Sequence, residues 1–361
     1  MKLTFFGSSL VSAYWNGAAT YYRGICKALH ALGHTIHFVE QDIYERQAHR
    51  DLVEDPPYAT VQVVDVAADL GALDAALAEA ASSDWVLVCS GIGANDDYIQ
   101  ARALALRAAG RPRVAFWDVD APFNLTAAHA APDSPFTRRI PAWDAIFTYG
   151  GGPRVVAEYG ALGARACHPI YNAVDPDSYF PVPPDPSPEY ACDLLLLANR
   201  MPDREARIWD LFAGAAALVP AARLHIGGSG WEGAPFPPNV RVLGHVPTGD
   251  HARRNCSARL VLNVNRAAMA DYGYSPPTRI FEAAGNAACL ITDRWPGIDQ
   301  FFAPEQEILV AADAAAIAAY LRDLSWDAAR AIGARARARA LRDHTYTHRA
   351  AEVGHLLKEP A

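Results

Sequence analysis

The chain alternates short, wholly apolar runs with longer, alanine-rich segments from end to end. Runs that are apolar at every position are typical of strands buried on both faces, and the segments between them have the length and composition of helices. A repeated order of strand and helix predicts parallel sheets covered by helices. The predicted strands are Leu3–Gly7, Thr35–Glu40, Val61–Asp65, Trp85–Ser90, Val114–Asp118, Ala145–Thr148, Asp193–Ala198, Leu224–Gly228, Val240–Leu243, Leu260–Val264, Cys289–Thr292 and Ile308–Val310.

A proline-rich segment divides this pattern into two blocks. Residues 175–188 contain six prolines, which favours an extended linker because proline lacks the N–H that helices and sheets require. A chain of 361 residues also suits two domains better than one core. We therefore predict an α/β protein with two Rossmann-like, doubly wound domains facing across a cleft, with residues 1–172 as the first domain, 173–190 as the hinge and 191–343 as the second domain.

Composition and charge exclude several classes of protein. The residues are 51% apolar and 20% charged, as in folded globular chains, and the net charge of −8 gives no electrostatic reason to bind nucleic acid or an anionic membrane. No apolar run approaches the ~20 residues that span a bilayer, and the first residues resemble a strand rather than a signal peptide. The six cysteines show no Cys-x-x-Cys spacing, so we expect buried thiols in a cytoplasmic protein without a metal site.

The stretch from residue 263 to residue 293 has the pattern of an anion-binding strand, loop and helix. An apolar run ends in Asn-Val-Asn-Arg266, and the following Gly273-Tyr-Ser-Pro-Pro continues neither a strand nor a helix. Thr278 is a suitable N-cap for the next helix. Backbone N–H groups from Ser275 to Thr278, together with the helix dipole, would favour a phosphate, and Arg266 is a second candidate ligand.

Charged side chains on that helix and on an earlier one extend the same site. Arg279 and Glu282 are three residues apart, and therefore lie on one helix face. An ionised Glu282 only accepts hydrogen bonds, which suits the two hydroxyls of a ribose. Arg200 and Arg204 flank another strand-to-helix loop and form a candidate diphosphate clamp, although exposed arginines at a helix start are as often simply solvated.

The same stretch resembles a known family. The sequence NVNRAAM, followed by GYSPPTRIFEAAGNAACLITDRWPGIDQFF, resembles the CgeB-like (spore maturation protein) group of glycosyltransferases with the GT-B fold. NGAATYYRGICKALHALGHTIHFVEQD near the start resembles the first loop and helix of that fold, and Asn172-Ala-Val-Asp175 with Phe180-Pro181 resembles its interdomain hinge. The resemblance covers nearly the whole chain.

The resemblance implies an enzyme that moves a sugar from a nucleotide-diphosphate sugar to an acceptor hydroxyl. It implies UDP-sugar as the first choice of donor substrate, no cofactor and no metal, because helix dipoles and arginines act on the leaving group. The first domain would be the acceptor side and the second the donor side, and the terminal helix, about 344–361, would return to the first domain. The protein would work as a monomer or homodimer.

Individual residues acquire roles from the same resemblance. Asn16 and Gly17 form a small-residue loop at a helix start that would face the donor phosphates, and Arg204 is the preferred cation. His245 lies in a Gly-His-Val segment whose backbone would contact the nucleobase. The chain departs from the pattern at Tyr274, where many retaining members carry a second glutamate eight residues before Glu282, so the resemblance leaves the stereochemistry of transfer undecided.

Asp118 and Asp120 follow an apolar strand, at the end where α/β active sites lie. If the strand continued, both carboxylates would point the same way and repel, which would raise one pKa and suit a catalytic base. Alternatively, one of them caps the segment that leads to Asn124. The pair also matches the metal-binding Asp-x-Asp of the other glycosyltransferase fold, but the two-domain layout argues against that interpretation.

Two other functions remain open. A nucleotide-sugar epimerase of the GT-B fold would need several carboxylates and a histidine in the cleft but no acceptor. A non-catalytic nucleotide-sugar-binding protein would keep Glu282 and the cations without cleaving the donor.

Overall fold

A computed structural model describes residues 1–14, 16–107 and 112–359 of the protein. The chain divides into two compact units, one formed by Met1–Tyr171 with Tyr346–Ala361 and the other by Asn172–Thr345. We call them unit 1 and unit 2. Each contains one parallel sheet. Residues 360 and 361 of the predicted terminal helix lie outside the described residues.

Unit 1 is built on a seven-stranded sheet with the order β3-β2-β1-β4-β5-β6-β7. The sheet is wholly parallel, and its central strand β4 is buried at every position, as its uninterrupted apolar run predicts. The direction of winding reverses between β1 and β4, so the loops that follow these strands diverge and leave a crevice at the carboxyl edge. The strands are β1 (Lys2–Gly7), β2 (Thr35–Gln41), β3 (Thr60–Val64), β4 (Trp85–Cys89), β5 (Arg113–Asp118), β6 (Ala145–Thr148) and β7 (Cys167–Pro169).

In the described part of unit 1, six helices lie between these strands. The first is held in the core by aromatic side chains, because Tyr21 accepts a hydrogen bond from Trp117 Nε1 (2.9 Å) and donates one to the carbonyl of Ile170 (2.7 Å). Buried aromatic groups of this kind add both area and a fixed orientation. The helices are α1 (Ala19–Ala31), α2 (Gly71–Ala80), α3 (Asp96–Arg107), α4 (Ala121–Ala130), α5 (Pro135–Arg139) and α6 (Gly152–Ala161).

Unit 2 repeats the doubly wound plan with the strand order β10-β9-β8-β11-β12-β13. Its winding reverses between β8 and β11, and the loops after these two strands carry most of the predicted site. The strands are β8 (Cys192–Leu197), β9 (Leu224–Gly227), β10 (Val240–Gly244), β11 (Ala258–Asn263), β12 (Leu290–Asp293) and β13 (Leu309–Ala311). The helices are α7 (Pro202–Ile208), α8 (Gly214–Leu218), α9 (His251–Ser257), α10 (Ala267–Tyr272), α11 (Thr278–Gly285), α12 (Ala314–Asp323) and α13 (Trp326–Asp343).

The last helix, α14 (Tyr346–Leu356), belongs to unit 1 and packs against α1. The ring of Tyr346 lies directly on Gly24, where an added Cβ would come within 2.1 Å of the ring. Beyond the helix, the carbonyl of Leu357 accepts a hydrogen bond from Trp85 Nε1 (3.1 Å). Within the described part of the chain, no helix is both long and apolar enough to cross a membrane.

Candidate functional site

Three arginines at the starts of three different helices of unit 2 lie close enough for their charges to interact. Arg204 is the third residue of α7, Arg266 immediately precedes α10, and Arg279 is the second residue of α11. Burial, and then the charge of Arg279, lower the pKa of Arg204 to about 10. Arg204 therefore remains protonated at neutral pH even though like charges surround it.

Hydrogen bonds hold these arginines in place, but they do not neutralise the charge of all three. Arg266 Nε donates to Asp203 Oδ2 at 2.5 Å, and Arg204 Nη2 donates to the carbonyl of Asn199 at 2.8 Å. Arg204 Nε is buried and has no hydrogen-bond partner among the described residues. Clustered cations with unused donors are the arrangement that binds a phosphate or diphosphate.

The start of α11 differs in detail from the sequence prediction. Pro277 occupies the N-cap position with extended backbone, and Thr278 is the first helical residue, so the prediction of Thr278 as the N-cap was wrong. Pro277 fills that position because its fixed φ is compatible with entry into a helix. Since residues 276 and 277 are prolines, only Ser275 and Thr278 carry amide donors in the predicted segment, and Ser275 Oγ donates to the carbonyl of Gly273 (2.9 Å).

Glu282 lies one turn into α11 and is only 3% exposed. Tyr179 donates its hydroxyl proton to Glu282 Oε1 (3.1 Å), and Oε2 is 3.1 Å from Arg279 Nη1. That ion pair is poorly aligned, so Oε2 receives no hydrogen bond from the described residues. A buried carboxylate oxygen with unused capacity beside a guanidinium can accept hydrogen bonds from a ligand's hydroxyls.

His251, which the sequence analysis did not identify, orients Arg279. His251 Nε2 is 3.2 Å from the carbonyl of Val246, and Nδ1 is 3.2 Å from Arg279 Nη1. A carbonyl only accepts, so Nε2 carries the proton and Nδ1 accepts from Arg279. Burial, followed by the charge of Arg279, lowers the pKa of His251 to about 3, so the imidazole stays neutral and keeps this acceptor at physiological pH.

Replacement of His251 by Phe should weaken binding of inorganic pyrophosphate to the arginine cluster by up to about tenfold, because a lost hydrogen bond to a correctly placed arginine costs roughly 0.5–1.5 kcal/mol. Calorimetric titration with pyrophosphate would measure the change. The same substitution made in an Arg279→Met background should have little further effect. Additive losses in the double variant would contradict the role of His251 as a positioning residue.

A second acidic residue supports the same loop region. Asp293, at the end of β12, is 2% exposed, accepts from the amide of Asn265 (3.0 Å) and pairs with Arg207 Nη2 (2.5 Å). Burial raises its pKa despite these contacts. Its bonds tie the loop after β11 to the end of β12. The sequence could have indicated Asp293, because a polar residue at the end of a buried strand is typical of the sheet edge where ligands bind.

His245 follows β10 and is exposed, on a loop separate from the arginines. The loop after β9 approaches closely, because the amide of Gly228 donates to the carbonyl of Gly244 (2.7 Å). Gly228 has φ +133°, and an added Cβ there would lie 2.2 Å from the carbonyl oxygen of Ala198. Only glycine fits at this position, because a side chain would meet the backbone directly after β8.

In unit 1, the side chain of Asn16 stabilises the loop after β1 and is not exposed to solvent. It is buried, accepts from Ser8 Oγ (2.9 Å) and donates to the carbonyls of Ser9 (2.9 Å) and Ser12 (3.1 Å). Three of the four hydrogen bonds that the side chain can make are thus used inside the loop. Gly17 is exposed and an added Cβ would meet nothing within 4 Å, so it lies open at the entry to α1.

Asp118 is wholly buried and organises the turn after β5. Its Oδ1 accepts from the amide of Asp120 (2.9 Å) and from Asn124 Nδ2 (2.7 Å), and Oδ2 accepts from the hydroxyl of Tyr159 (2.5 Å). Burial is the main cause that raises its pKa to about 6, whereas the charge of Asp120 is a lesser cause. A raised pKa was predicted, but from repulsion between the two carboxylates.

Asp120 occupies a different environment. β5 ends at Asp118, as predicted, so the condition under which both side chains would share one face of a strand is not met. Asp120 is instead the N-cap residue of α4 and is partly exposed. An added Cβ on Gly91 would lie 3.3 Å from Asp120 Oδ2, which places this carboxylate beside the loop after β4. Of the two, Asp120 is the one that solvent or a ligand can reach.

The raised pKa of Asp118 makes stability depend on pH. The pKa of Asp118 is about 6 in the folded protein, compared with an ordinary value of 3.8. At a pH between these two values unfolding releases a proton, so the free energy of unfolding falls as the pH rises from about 4 to about 6. Asp118→Asn should remove this component, about 2–3 kcal/mol. Urea unfolding of both proteins at pH 4 and pH 7 would show it as a change in their stability difference, and a constant difference would contradict it.

Comparisons with known proteins agree with this architecture. Residues 204–354 match a family model described as "Glycosyl transferase-like". A search of curated proteins finds no match. Sucrose-phosphate synthase from Thermosynechococcus elongatus is similar in structure, with a TM-score of 0.68, 15% identity and coverage of 99% of this chain and 98% of that one.

Two further solved structures are similar over their full length. HepE of Anabaena, in complex with UDP and glucose, has a TM-score of 0.69 and 13% identity, with 100% of both chains covered. An alpha-glucosyltransferase, in complex with UDP and a 13-mer DNA, has a TM-score of 0.65 and 11% identity, with 99% of this chain and 100% of that one covered. The chain therefore has the GT-B fold, with two Rossmann-like parallel-sheet domains, and its second half matches a glycosyl transferase-like family model.

Proposed function

We propose that this protein is a glycosyltransferase that moves a sugar from a nucleotide-diphosphate sugar to an acceptor hydroxyl. The observation that carries the proposal is in unit 2, where Arg204, Arg266 and Arg279 interact beside the buried carboxylate of Glu282. A ligand with a diphosphate next to a ribose would satisfy both features. The matched family model and the UDP in two structural neighbours support the same function.

The donor would be a UDP-sugar, and unit 2 would bind its nucleotide. The arginine cluster would hold the diphosphate, the amides at the start of α11 would add donors, and Glu282 Oε2 would accept from the ribose hydroxyls. The backbone around His245 would contact the base. Reaction of the sugar leaves an additional negative charge on the departing UDP, and preorganised guanidinium groups stabilise that charge without reorganisation.

Unit 1 would supply the acceptor side and the base. The acceptor oxygen forms a bond to the anomeric carbon as the bond from that carbon to the UDP oxygen breaks, and the acceptor's proton goes to a carboxylate. Asp120 is the candidate base, because it is partly exposed whereas Asp118 is buried and bonded on both oxygens. Asn16 and Gly17 would shape the loop after β1. We also propose that transfer needs no metal and that the chain belongs to the CgeB-like group.

A nucleotide thermal-shift experiment tests the donor site. UDP at about 100 times its Kd should stabilise the wild-type protein by ~2.7 kcal/mol, and Glu282→Gln should lose most of that response. Glu189→Gln, which changes an exposed carboxylate of the same unit, is the matched control and should respond like the wild type. If neither UDP nor another nucleoside diphosphate raises the Tm of the wild type, the proposed function is wrong.

A further inference from the structure

A cavity of about 580 Å³ lies within unit 1, between the loop after β4 and helices α3, α4 and α5. Pockets for small molecules usually measure ~300–1,000 Å³, so this one can hold a ligand of that class. None of the proposed donor-site residues of unit 2 contributes to its walls. Its walls include Gly91, Asp96, Gln100, Phe116, Asn124 and Phe136.

Gln100 lines this cavity and has an unused hydrogen-bond donor. The residue is 6% exposed, and its Oε1 accepts a long hydrogen bond from Arg139 Nη1 (3.5 Å). Its Nε2 has no partner among the described residues, although it is not sealed from solvent. A side chain that is almost wholly buried yet keeps an open amide group at a cavity wall is placed to bind a ligand rather than water alone.

Two acceptors complement that donor. Asn124 Nδ2 donates to Asp118, which leaves Asn124 Oδ1 to accept. Asp96 Oδ1 accepts from the amide of Gly93 (3.2 Å), and in the described structure its second oxygen has no partner. Hydroxyl groups both donate and accept, so they match a wall with one amide donor and two oxygen acceptors.

Two aromatic residues form part of the wall. Phe116 and Phe136 meet edge to face with their ring centroids 5.5 Å apart, and Phe136 is partly exposed. An aromatic surface beside converging polar groups fits a molecule with an apolar face and a polar edge, as a sugar ring has. A polyanion such as DNA fits poorly, because the carboxylate of Asp96 has no cation paired with it in the described residues.

One residue of the cavity wall also lies next to the candidate base, Asp120. Gly91 lines the cavity and lies beside Asp120 Oδ2. We propose that this cavity is the acceptor site and that it binds a neutral, hydroxyl-rich molecule such as a mono- or disaccharide. Gln100 Nε2 donates to an acceptor oxygen, and Asn124 and Asp96 accept from its hydroxyls. This assignment rests on the proposed function, but the binding itself can be measured without a donor.

Saturation-transfer difference NMR, without nucleotide, would test the site with methyl α-glucoside, methyl β-glucoside, maltose, cellobiose and trehalose. At least one probe should bind the wild-type protein, and Gln100→Leu or Asp96→Asn should weaken that binding at least tenfold. Asp133→Asn, which alters a carboxylate of the same unit whose side chain is 90% exposed, is the matched control and should bind normally.

The outcomes separate this assignment from the proposed function. The UDP-induced Tm shift should be the same in all three variants, which shows that they are folded and that unit 2 is unaffected. The assignment is overturned if no neutral probe binds, or if the wild type and both cavity variants bind equally well. Either result would overturn it even if UDP binds. Preferential binding of a DNA oligonucleotide would overturn the predicted chemical class.

Discussion

Asp120→Asn is expected to lower the rate at which the proposed nucleotide-sugar donor is cleaved by roughly 10²–10⁴-fold, the range that a positioned general base contributes. The amide keeps the size of the side chain at the start of α4 but cannot take a proton from an acceptor hydroxyl or from water. Measurement of UDP release over time would give the rate. The affinity for UDP should not change, because Asp120 lies in unit 1 and the residues proposed to bind the nucleotide lie in unit 2.

Asp118→Asn is the matched control for that result. Asn can keep the acceptor for the amide of Asp120 and for Asn124, while its NH₂ group can donate to the hydroxyl oxygen of Tyr159. We therefore expect a folded variant whose cleavage rate stays within about tenfold of wild type. The reverse pattern, with Asp118→Asn inactive and Asp120→Asn active, would show that the buried carboxylate is the base and that the assignment to Asp120 is wrong.

The second large effect is expected from Arg204→Met. The loss of a charge-assisted hydrogen bond to the diphosphate costs ~1.5–3 kcal/mol, so the Kd for UDP should rise by roughly 10–150-fold. The unliganded protein should not lose stability, because methionine fills the volume and removes a buried charge that Arg279 and Arg266 repel. Titration with UDP and thermal unfolding of the unliganded protein would measure the two effects separately.

Arg200→Met provides a control from the same loop. Arg200 is exposed and pairs with Glu205 (2.6 Å), so its replacement should change UDP affinity by less than about twofold. A large loss of affinity in Arg200→Met, with none in Arg204→Met, would assign the clamp to the other arginine. A marked loss of unliganded stability in Arg204→Met would show that the buried guanidinium is mainly structural.

The architecture could be predicted because local patterns determine it. Wholly apolar runs such as Trp85–Cys89 are buried at every position, and each of the twelve predicted strands is present within two residues of its predicted bounds. The spacing of Arg279 and Glu282 likewise follows from helix geometry, and the two side chains form an ion pair. Predictions that depended on one element and its period were therefore confirmed.

Predictions that depended on where an element ends, or on distant contacts, were less reliable. The alternation of side chains along a strand does not describe Asp118 and Asp120, because β5 stops at Asp118. Residue preference favoured Thr278 as the N-cap, but the backbone of Pro277 occupies that position. No local pattern brings His251 to Arg279 or Tyr179 to Glu282, because those contacts arise only when separate loops of the folded unit 2 meet.

The return of α14 to unit 1 has a consequence for protein synthesis. Gly24 in α1 and Trp85 in β4 are translated early, but their partners Tyr346 and Leu357 leave the ribosome more than 250 residues later. Unit 2, in contrast, is one continuous segment. Domains usually fold as they emerge from the ribosome. The face of α1 that α14 covers therefore stays exposed until the whole of unit 2 has been made. Unit 2 is thus the first domain that can complete its core, although it is the second in the chain.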